Sequence, residues 1–200
     1  MDFIESITEL EALYGTPGQA SIRKVADHLT SLYAKWIAAS RFCVLTTVGP
    51  NGTDGSPRGD DGPVVVPLDH KTLAMPDWRG NQRLDSLRNI VVDDRVSLMF
   101  MVPGSNTVVR VNGTARVTAD RELRERFSRG ERLPATLIVI RIAEIYTQCA
   151  RAVMRAGLWD GVDITGLPTP GDILEEVSTG EEGGAVYDAE WSARAARTMR

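Results

Sequence analysis

Apolar positions along the chain follow a helical period first and a strand period afterwards. Residues 3–14 and 21–39 repeat apolar side chains at helical spacing, which predicts helices, the second either continuous or divided near Thr30. The middle of the chain changes to β-branched and alternating runs, which predict strands at 41–48, 62–68, 72–75, 95–102, 107–117 and 136–148. With GPNG at 49–52 as a hairpin turn into residues 53–62, the pattern indicates a β-rich α+β fold built around a small antiparallel barrel.

The same pattern divides a single domain into three segments. Residues 1–40 are predicted to form an N-terminal helical segment that packs on the barrel, and residues 41–160 form the barrel with a closing helix. Residues 161–200 are rich in Gly, Pro and Glu, and they are predicted to form a C-terminal arm. This arm is interpreted as a substrate lid, a dimer clasp or a disordered tail, and the sequence leaves these alternatives open.

Composition and charge narrow the classes of function. The 200 residues are 42% hydrophobic, and a chain of this length buries roughly 70% of its unfolded surface in one core. A net charge of −4 argues against a general nucleic-acid surface, because sequence-independent phosphate binding needs a broad excess of Lys and Arg. No apolar run approaches the roughly 20 residues of a membrane span, and the acidic N-terminus does not resemble a signal peptide. We therefore expect a cytoplasmic protein with neither a nucleic-acid nor a membrane partner.

The sequence lacks the usual catalytic and metal-binding signatures. SPRGD at 56–60 does not have the GxSxG spacing, and neither a P-loop nor a GxGxxG motif occurs. Cys43 and Cys149 are far apart and are predicted to be buried thiols, and the two histidines have no neighbouring ligands. No metal site is therefore expected, and chemistry carried by a bound cofactor is the better hypothesis.

Three arginines are concentrated in PDWRGNQRLDSLRN, at 76–89, between two predicted strands. A helix that begins near Asn81 exposes unpaired backbone N–H groups in its first turn. Its inward face then carries Leu84, Leu87 and Ile90. Those N–H donors, the positive end of the helix dipole and the guanidinium groups of Arg79 and Arg83 together suit a phosphate. The alternative is a solvated helix whose charged side chains form surface ion pairs with one another.

A fourth arginine lies in SPRGD, at the end of the predicted second strand. Arg58 stands beside Ser56 and Asp60, and Gly59 permits close approach of a ligand to the backbone. Taken alone, the segment is also consistent with a simple turn held by a contact between Asp60 and Arg58. Together, the two arginine-containing segments lie on loops of one small barrel and indicate one anion site.

The succession of these motifs resembles that of a known family. RFCVLTTVGPNG, DGSPRGD, PDWRGNQRLDSLRNIVVDDRVSLMFMVPGS and RVNGTARV follow one another as in the pyridoxamine 5′-phosphate oxidase-like family of FMN-binding split barrels. With QCARAVMRAGLW, the set is similar to a bacterial subgroup of FMN-binding oxidase-like proteins. The resemblance covers about residues 20–160. It implies a six-stranded antiparallel Greek-key split barrel with flanking helices, which forms a homodimer with FMN at the interface.

The resemblance also implies which residues bind the FMN. The matching positions are Arg79, Asn81 and Arg83 for the phosphate, Arg58 for the phosphate or ribityl chain, the backbone of Gly59 and Asp60 for the isoalloxazine ring, and Thr46, Thr47 and Ser56 as further candidates. It identifies no catalytic residue. Hydride transfer to a flavin needs no obvious acid or base, because the cofactor carries the chemistry and the protein binds and orients it.

The activity that the resemblance implies is that of an FMN-dependent oxidoreductase acting on an unknown small molecule. Either a small acceptor is reduced with a nicotinamide donor, or an amine or alcohol is oxidised with oxygen. Typical pyridoxamine phosphate oxidases have a flavin-contacting Gln where this chain has Val108, and they end in an RLH-like segment that this chain lacks. These departures argue against oxidation of pyridoxamine phosphate. The alternative is a flavin- or deazaflavin-binding module without turnover.

Overall fold

The computed structural model describes residues 1–78, 80 and 82–198, and within these ranges the side chains up to residue 196. The helices are α1 (Ile7–Ala12), α2 (Gln19–Arg23), α3 (Ser31–Ala39), α4 (Asp85–Val92), α5 (Arg121–Glu125), α6 (Arg151–Ala156), α7 (Pro170–Val177) and α8 (Gly184–Thr198). The strands are β1 (Phe42–Gly49), β2 (Gly52–Gly59), β3 (Val66–Pro67), β4 (Thr72–Asp77), β5 (Arg95–Met101), β6 (Val108–Thr118) and β7 (Thr136–Gln148). Strands thus fill the middle of the chain, and helices lie at both ends and in two of the connections.

The strands form one antiparallel sheet of seven, in the order β2-β1-β5-β6-β7-β4-β3. The predicted β-rich α+β fold is confirmed, but the expected number of six strands is wrong. The shortest strand is β3, because Val64 and Val65 turn into the core and only Val66 and Pro67 pair with β4. Closure of the sheet into a Greek-key barrel stays a prediction.

The hairpin of β1 and β2 forms where the GPNG turn predicts it. Gly49 pairs with Gly52 across the turn, and Gly52 has a φ of 121°, a backbone conformation that favours glycine. Side chains alternate along β1, so that Cys43, Leu45 and Thr47 point inward and are fully buried. The hydrophobic core that β1 shares with β5, β6 and β7 includes Cys43, Leu45, Leu98, Phe100, Val109, Val111, Ile138 and Ile140.

A glycine also fixes the longest strand pairing, between β6 and β7. The register shifts by one residue at the step from Asn112 to Gly113, which produces a bulge. A Cβ atom on Gly113 would lie 2.0 Å from the carbonyl oxygen of Arg141 on β7. The VNG segment therefore requires glycine for the close approach of two backbones.

The N-terminal helices differ in how firmly they are packed. The predicted division near Thr30 is confirmed, because the Thr30 hydroxyl caps α3 by accepting from the backbone N–H of Tyr33. Ile37 of α3 is fully buried, whereas α1 and α2 contain no buried residue. The division of the chain at residues 40 and 160 stays a prediction.

The C-terminal arm contains a helical hairpin formed by α7 and α8. Thr169 and Asp172 form a reciprocal capping box at the start of α7. The Asp188 carboxylate of α8 accepts from the backbone N–H of Gly171, at 2.9 Å, and from the Thr169 hydroxyl. A Cβ atom on Gly171 would lie 2.5 Å from the carbonyl oxygen of Gly184, so glycine allows the two helices to approach. Among the described residues, no helix is long and apolar enough to cross a membrane.

Candidate functional site

A cleft of about 1110 Å³ opens beside the edge strand β2. It is lined by residues 54–58 of β2, by Asp77 and Trp78 at the end of β4, by the described residues of 80–87, and by Leu133 and Ala135. Protein sites for small molecules commonly occupy roughly 300–1000 Å³, so this cleft is large enough for a nucleotide-sized ligand. A smaller cleft of about 580 Å³, lined by residues 90–94 and 115–117, contains none of the predicted site residues.

The inward face of β2 is polar, in contrast to that of its neighbour β1. Asp54, Ser56 and Arg58 lie opposite Thr47, Leu45 and Cys43 in the strand register and therefore share their face of the sheet. All three polar residues line the cleft and are half-buried. The sheet thus presents polar groups to the cleft at its edge, where the apolar core ends.

Arg58 forms an ion pair with Asp77 of β4, a strand that is not adjacent to β2 in the sheet. Its Nη1 donates to Oδ1 of Asp77 at 2.7 Å, and the two side chains are 23% and 13% exposed. The Nε–H of Arg58 is buried and has no hydrogen-bond partner among the described residues. The simple turn with a contact between Asp60 and Arg58 does not form, because each of the two residues pairs elsewhere. The guanidinium is therefore oriented by Asp77 and keeps one buried donor for a further acceptor.

The thiol of Cys43 lies directly across the β1–β2 pairing from Arg58. Burial raises the pKa of Cys43 to about 12, and the nearby positive charge of Arg58 only partly opposes this effect. The thiol is therefore protonated at neutral pH and is unsuited to nucleophilic chemistry. Its prediction as a buried thiol is confirmed, whereas the same prediction for Cys149 is wrong, because Cys149 is exposed.

The connection between β4 and α4 has an unusual backbone. Gln82 and Leu84 both have a φ of 62°, in the left-handed region that residues other than glycine seldom adopt. The helix starts at Asp85 rather than near Asn81, and Leu84, expected to face inward, is 46% exposed. Strained backbone of this kind often occurs where a loop is shaped for a ligand.

The first turn of α4 faces the cleft. Leu84 provides no side-chain cap for the N-terminal N–H groups of the helix. Arg83, which precedes it, lines the cleft and pairs with Asp85 through Nε at 2.8 Å. This ion pair matches the surface pairing of the solvated-helix alternative, but both side chains also border the cleft. Arg79 and Asn81, predicted to bind the phosphate, lie outside the described residues.

Two hydrogen bonds fix α4 against the β1–β2 hairpin. The buried Ser86 hydroxyl donates to Oδ2 of Asp54 at 2.7 Å, and Nδ2 of Asn89 donates to the Thr47 hydroxyl at 3.1 Å. A Cβ atom on Gly49 would lie 2.0 Å from Oδ1 of Asn89, so the hairpin approaches the helix closely. The start of α4 is therefore held in a fixed position relative to β2.

The structure places the remaining predicted residues at differing distances from the cleft. Ser56 lines it, whereas Thr46, Thr47 and Gly59 are not part of its wall. Thr47 faces α4 instead, through its hydrogen bond with Asn89. Their predicted contacts with a cofactor stay predictions.

Sequence reasoning missed several residues of the cleft wall. Asp77 and Trp78 line it, and Arg129 of the α5–β7 connection lies against the ring of Trp78. Asp77 and Trp78 belong to the PDWRGNQR segment, but the predicted phosphate site was based on their neighbours Arg79 and Arg83. Nothing near Arg129 in sequence indicates the distant carboxylate with which it pairs.

The helix that closes the predicted barrel has a packing role in the structure. α6 ends at Gly157, whose φ of 55° fits the usual glycine cap. The indole N–H of Trp159 donates to the carbonyl oxygen of Ser105 at 2.9 Å. These contacts attach the end of α6 to the β5–β6 connection.

Comparison with known proteins identifies relatives of the strand-rich part of the chain. The family model described as pyridoxamine 5′-phosphate oxidase matches residues 29–149, more than half of the chain. No curated protein matches. HupZ from Group A Streptococcus is 18% identical, with a TM-score of 0.50, and the match covers 60% of this chain and 93% of HupZ. A Lactobacillus delbrueckii protein named as a candidate pyridoxamine 5′-phosphate oxidase is 22% identical, with a TM-score of 0.49 over 60% of this chain and 95% of its own.

Proposed function

Because the chain belongs to the pyridoxamine 5′-phosphate oxidase family, we propose that it is an FMN-dependent oxidoreductase acting on a small molecule. The flavin supplies hydride or electron transfer when bound, and the protein binds, orients and shields it. Members of this family commonly use flavin, and the residues of the cleft fit an FMN phosphate. The proposal names no side chain as an acid or base.

The Nε–H of Arg58, buried without an acceptor among the described residues, is the observation that carries this proposal. A buried donor without an acceptor destabilises a protein by roughly 1–3 kcal/mol, and a phosphate oxygen in the cleft would remove that penalty. The uncapped first turn of α4 offers further N–H donors, and Arg83 adds positive charge beside them. We propose Arg79 and Asn81 as additional phosphate ligands by their match to the family.

The ring and ribityl parts of the cofactor are assigned to the β2 side of the site. Ser56 and Arg58 border the cleft and would face the ribityl chain. The side chain of Asp60 is engaged by Arg129, so Asp60 and Gly59 would contact the isoalloxazine through their backbone. Thr46 and Thr47 are further proposed contacts, although neither residue lines the cleft.

We further propose that the protein acts in the cytoplasm as a homodimer with FMN at the interface between two copies. The outward-facing side chains of β1 and β5 include Phe42, Val44, Met99 and Met101, which alternate with the buried core positions. Met99 is 37% exposed, and burial of such a face against a second copy would be favourable. Light scattering coupled to size-exclusion chromatography tests this, and a monomer with FMN bound would contradict it.

The absorption spectrum of the purified protein tests the cofactor. We expect a flavin spectrum either as purified or after addition of FMN, and release of FMN on denaturation. Under anaerobic conditions, a nicotinamide donor or an amine or alcohol substrate should bleach the bound flavin. Bound FMN that no reductant bleaches would favour a binding module without turnover. A protein that refuses FMN but binds a deazaflavin would replace the proposed cofactor.

A further inference from the structure

Arg129 joins three segments that border the proposed cofactor cleft. Its Nη2 donates to Oδ1 of Asp60 at 2.5 Å, just beyond the end of β2. Its guanidinium carbon lies 4.6 Å from the centroid of the Trp78 indole ring, at the end of β4. Arg129 itself belongs to the α5–β7 connection, which contributes Leu133 and Ala135 to the cleft wall.

The α5–β7 connection holds Arg129 in place. The backbone N–H of Arg129 donates to the carbonyl oxygen of Arg132 at 2.9 Å, and Gly130 between them has a φ of 60°. The connection is fastened to the end of β4, because the N–H of Ala135 donates to the carbonyl oxygen of Asp77 at 3.0 Å. The guanidinium is therefore presented on an ordered turn.

The contact of Arg129 with Asp60 is unlike the surface ion pairs of this protein. The Asp60 side chain is only 5% exposed, and its Oδ1 accepts both from Arg129 and from the backbone N–H of Asp61, at 2.6 Å. The same guanidinium stacks on Trp78, whose indole N–H is buried without a hydrogen-bond partner among the described residues. A planar cation that pairs with a buried carboxylate and covers an indole matches the properties of arginine, and lysine does not supply this geometry.

Trp78 is the last residue before the connection to α4. That connection contains the left-handed residues Gln82 and Leu84, and it leads to the helix turn that faces the cleft. Trp78 itself lines the cleft, so a guanidinium stacked on its ring restricts the position of this part of the wall. Restricting a loop in its binding conformation strengthens binding, because less conformational freedom is lost when the ligand arrives.

We propose that Arg129 is a positioning residue for cofactor binding, which holds Trp78, and thereby this part of the cleft wall, in the arrangement that accepts the phosphate of FMN. This inference rests on the proposed function for the identity of the ligand. Its structural part, the restraint of Trp78 by Arg129, is independent of that identity. Arg129 acts through Trp78 and is not assigned a contact with the flavin.

The experiment compares Arg129→Ala with Arg132→Ala, a matched removal of an exposed arginine from the same turn. Nuclear magnetic resonance of isotope-labelled protein reports hydrogen exchange at the four tryptophan indoles, and Trp78→Phe identifies the signal of Trp78. We expect Arg129→Ala to accelerate exchange at the Trp78 indole by about ten-fold or more, because its cover is lost. FMN affinity should fall by roughly ten-fold, and Arg129→Lys should restore neither property in full. Arg132→Ala should leave both unchanged.

The outcomes separate this inference from the proposed function. Unchanged exchange at Trp78 in Arg129→Ala overturns the inference, and weaker FMN binding in that case would mean that Arg129 contacts the ligand itself. Faster exchange with unchanged FMN affinity also overturns it, because positioning would then have no effect on binding. If the native protein binds no FMN, the proposed function fails, and the exchange comparison alone still decides whether Arg129 holds Trp78.

Discussion

Arg58 and Asp77 allow two substitutions that should act differently on FMN binding. Arg58→Lys keeps the positive charge but removes the buried Nε–H, which has no partner in the part of the chain that the structure describes. Asp77→Asn removes the negative charge that competes for Arg58 and leaves the guanidinium itself intact. If Arg58 binds the phosphate, the first change should weaken FMN binding and the second should leave it unchanged or strengthen it.

The structure sets the size of these effects. A hydrogen bond to a charged group contributes about 1.5–3 kcal/mol, so loss of the Nε donor should weaken FMN binding by roughly 10- to 100-fold. The Arg58 and Asp77 side chains are 23% and 13% exposed, so their burial is intermediate between that of a surface ion pair and that of a fully buried one. Asp77→Asn should therefore lower the free energy of unfolding by about 1–2 kcal/mol, while FMN still binds.

Fluorescence titration with FMN and urea unfolding measure the two effects separately. Arg88→Lys is a matched control, because Arg88 is exposed on α4 and is not part of the cleft wall. Native affinity in Arg58→Lys would refute the assignment of Arg58 to the phosphate. An equal loss of affinity in Arg58→Lys and Asp77→Asn would mean that the pair only maintains the shape of the cleft.

Three further experiments test other features of the fold. In urea unfolding, Gly113→Ala should lower the free energy of unfolding by about 2–3 kcal/mol, because the added Cβ atom meets the β7 backbone. The control Gly62→Ala, with open space around the added Cβ atom, should lower it by less than about 0.5 kcal/mol. A thiol reagent near neutral pH should modify Cys149 alone in the folded protein, because burial and a pKa raised to about 12 protect Cys43; two rapidly reacting thiols would contradict the buried position. Thr169→Ala should destabilise the α7–α8 hairpin by about 1 kcal/mol through loss of its cap, seen as faster limited proteolysis of that hairpin, and unchanged cleavage would argue against the capping box.

Local signals in the sequence predicted the elements that local interactions determine. GPNG specifies the β1–β2 turn because Gly52 adopts a positive φ, and Thr30 divides the N-terminal helices because its hydroxyl caps α3. The predicted start of α4 was wrong, because Leu84 and Leu87 share helical spacing. Nothing in the local sequence indicates that Gln82 and Leu84 adopt left-handed conformations. Such conformations in non-glycine residues are imposed by the surrounding structure.

The residues that form the cleft were partly predictable, but their partners were not. Arg58, Ser56 and Arg83 line the cleft, and the sequence identified them from their chemistry and from the family resemblance. Arg58 pairs with Asp77, 19 residues away, and Asp60 pairs with Arg129, 69 residues away. Pairing over such separations depends on the order of strands in the sheet, which the spacing of charged residues does not encode.

The strand order also explains why a cleft lies at this place. Strands β1, β5, β6 and β7 separate β2 from β4 in the sheet, yet the Arg58–Asp77 ion pair joins β2 to the end of β4. Asp60 and Arg129 make a second side-chain link beside it. Side chains rather than backbone hydrogen bonds thus link β2 to the end of β4. The inward-facing polar residues of the edge strand β2 lie next to open space. Protection of an exposed edge explains Asp54, whose carboxylate accepts from Ser86. It does not explain the buried Nε–H of Arg58, for which the described residues offer no acceptor. The proposed phosphate ligand would account for both the donor and the opening, because it would accept from the one and fill the other.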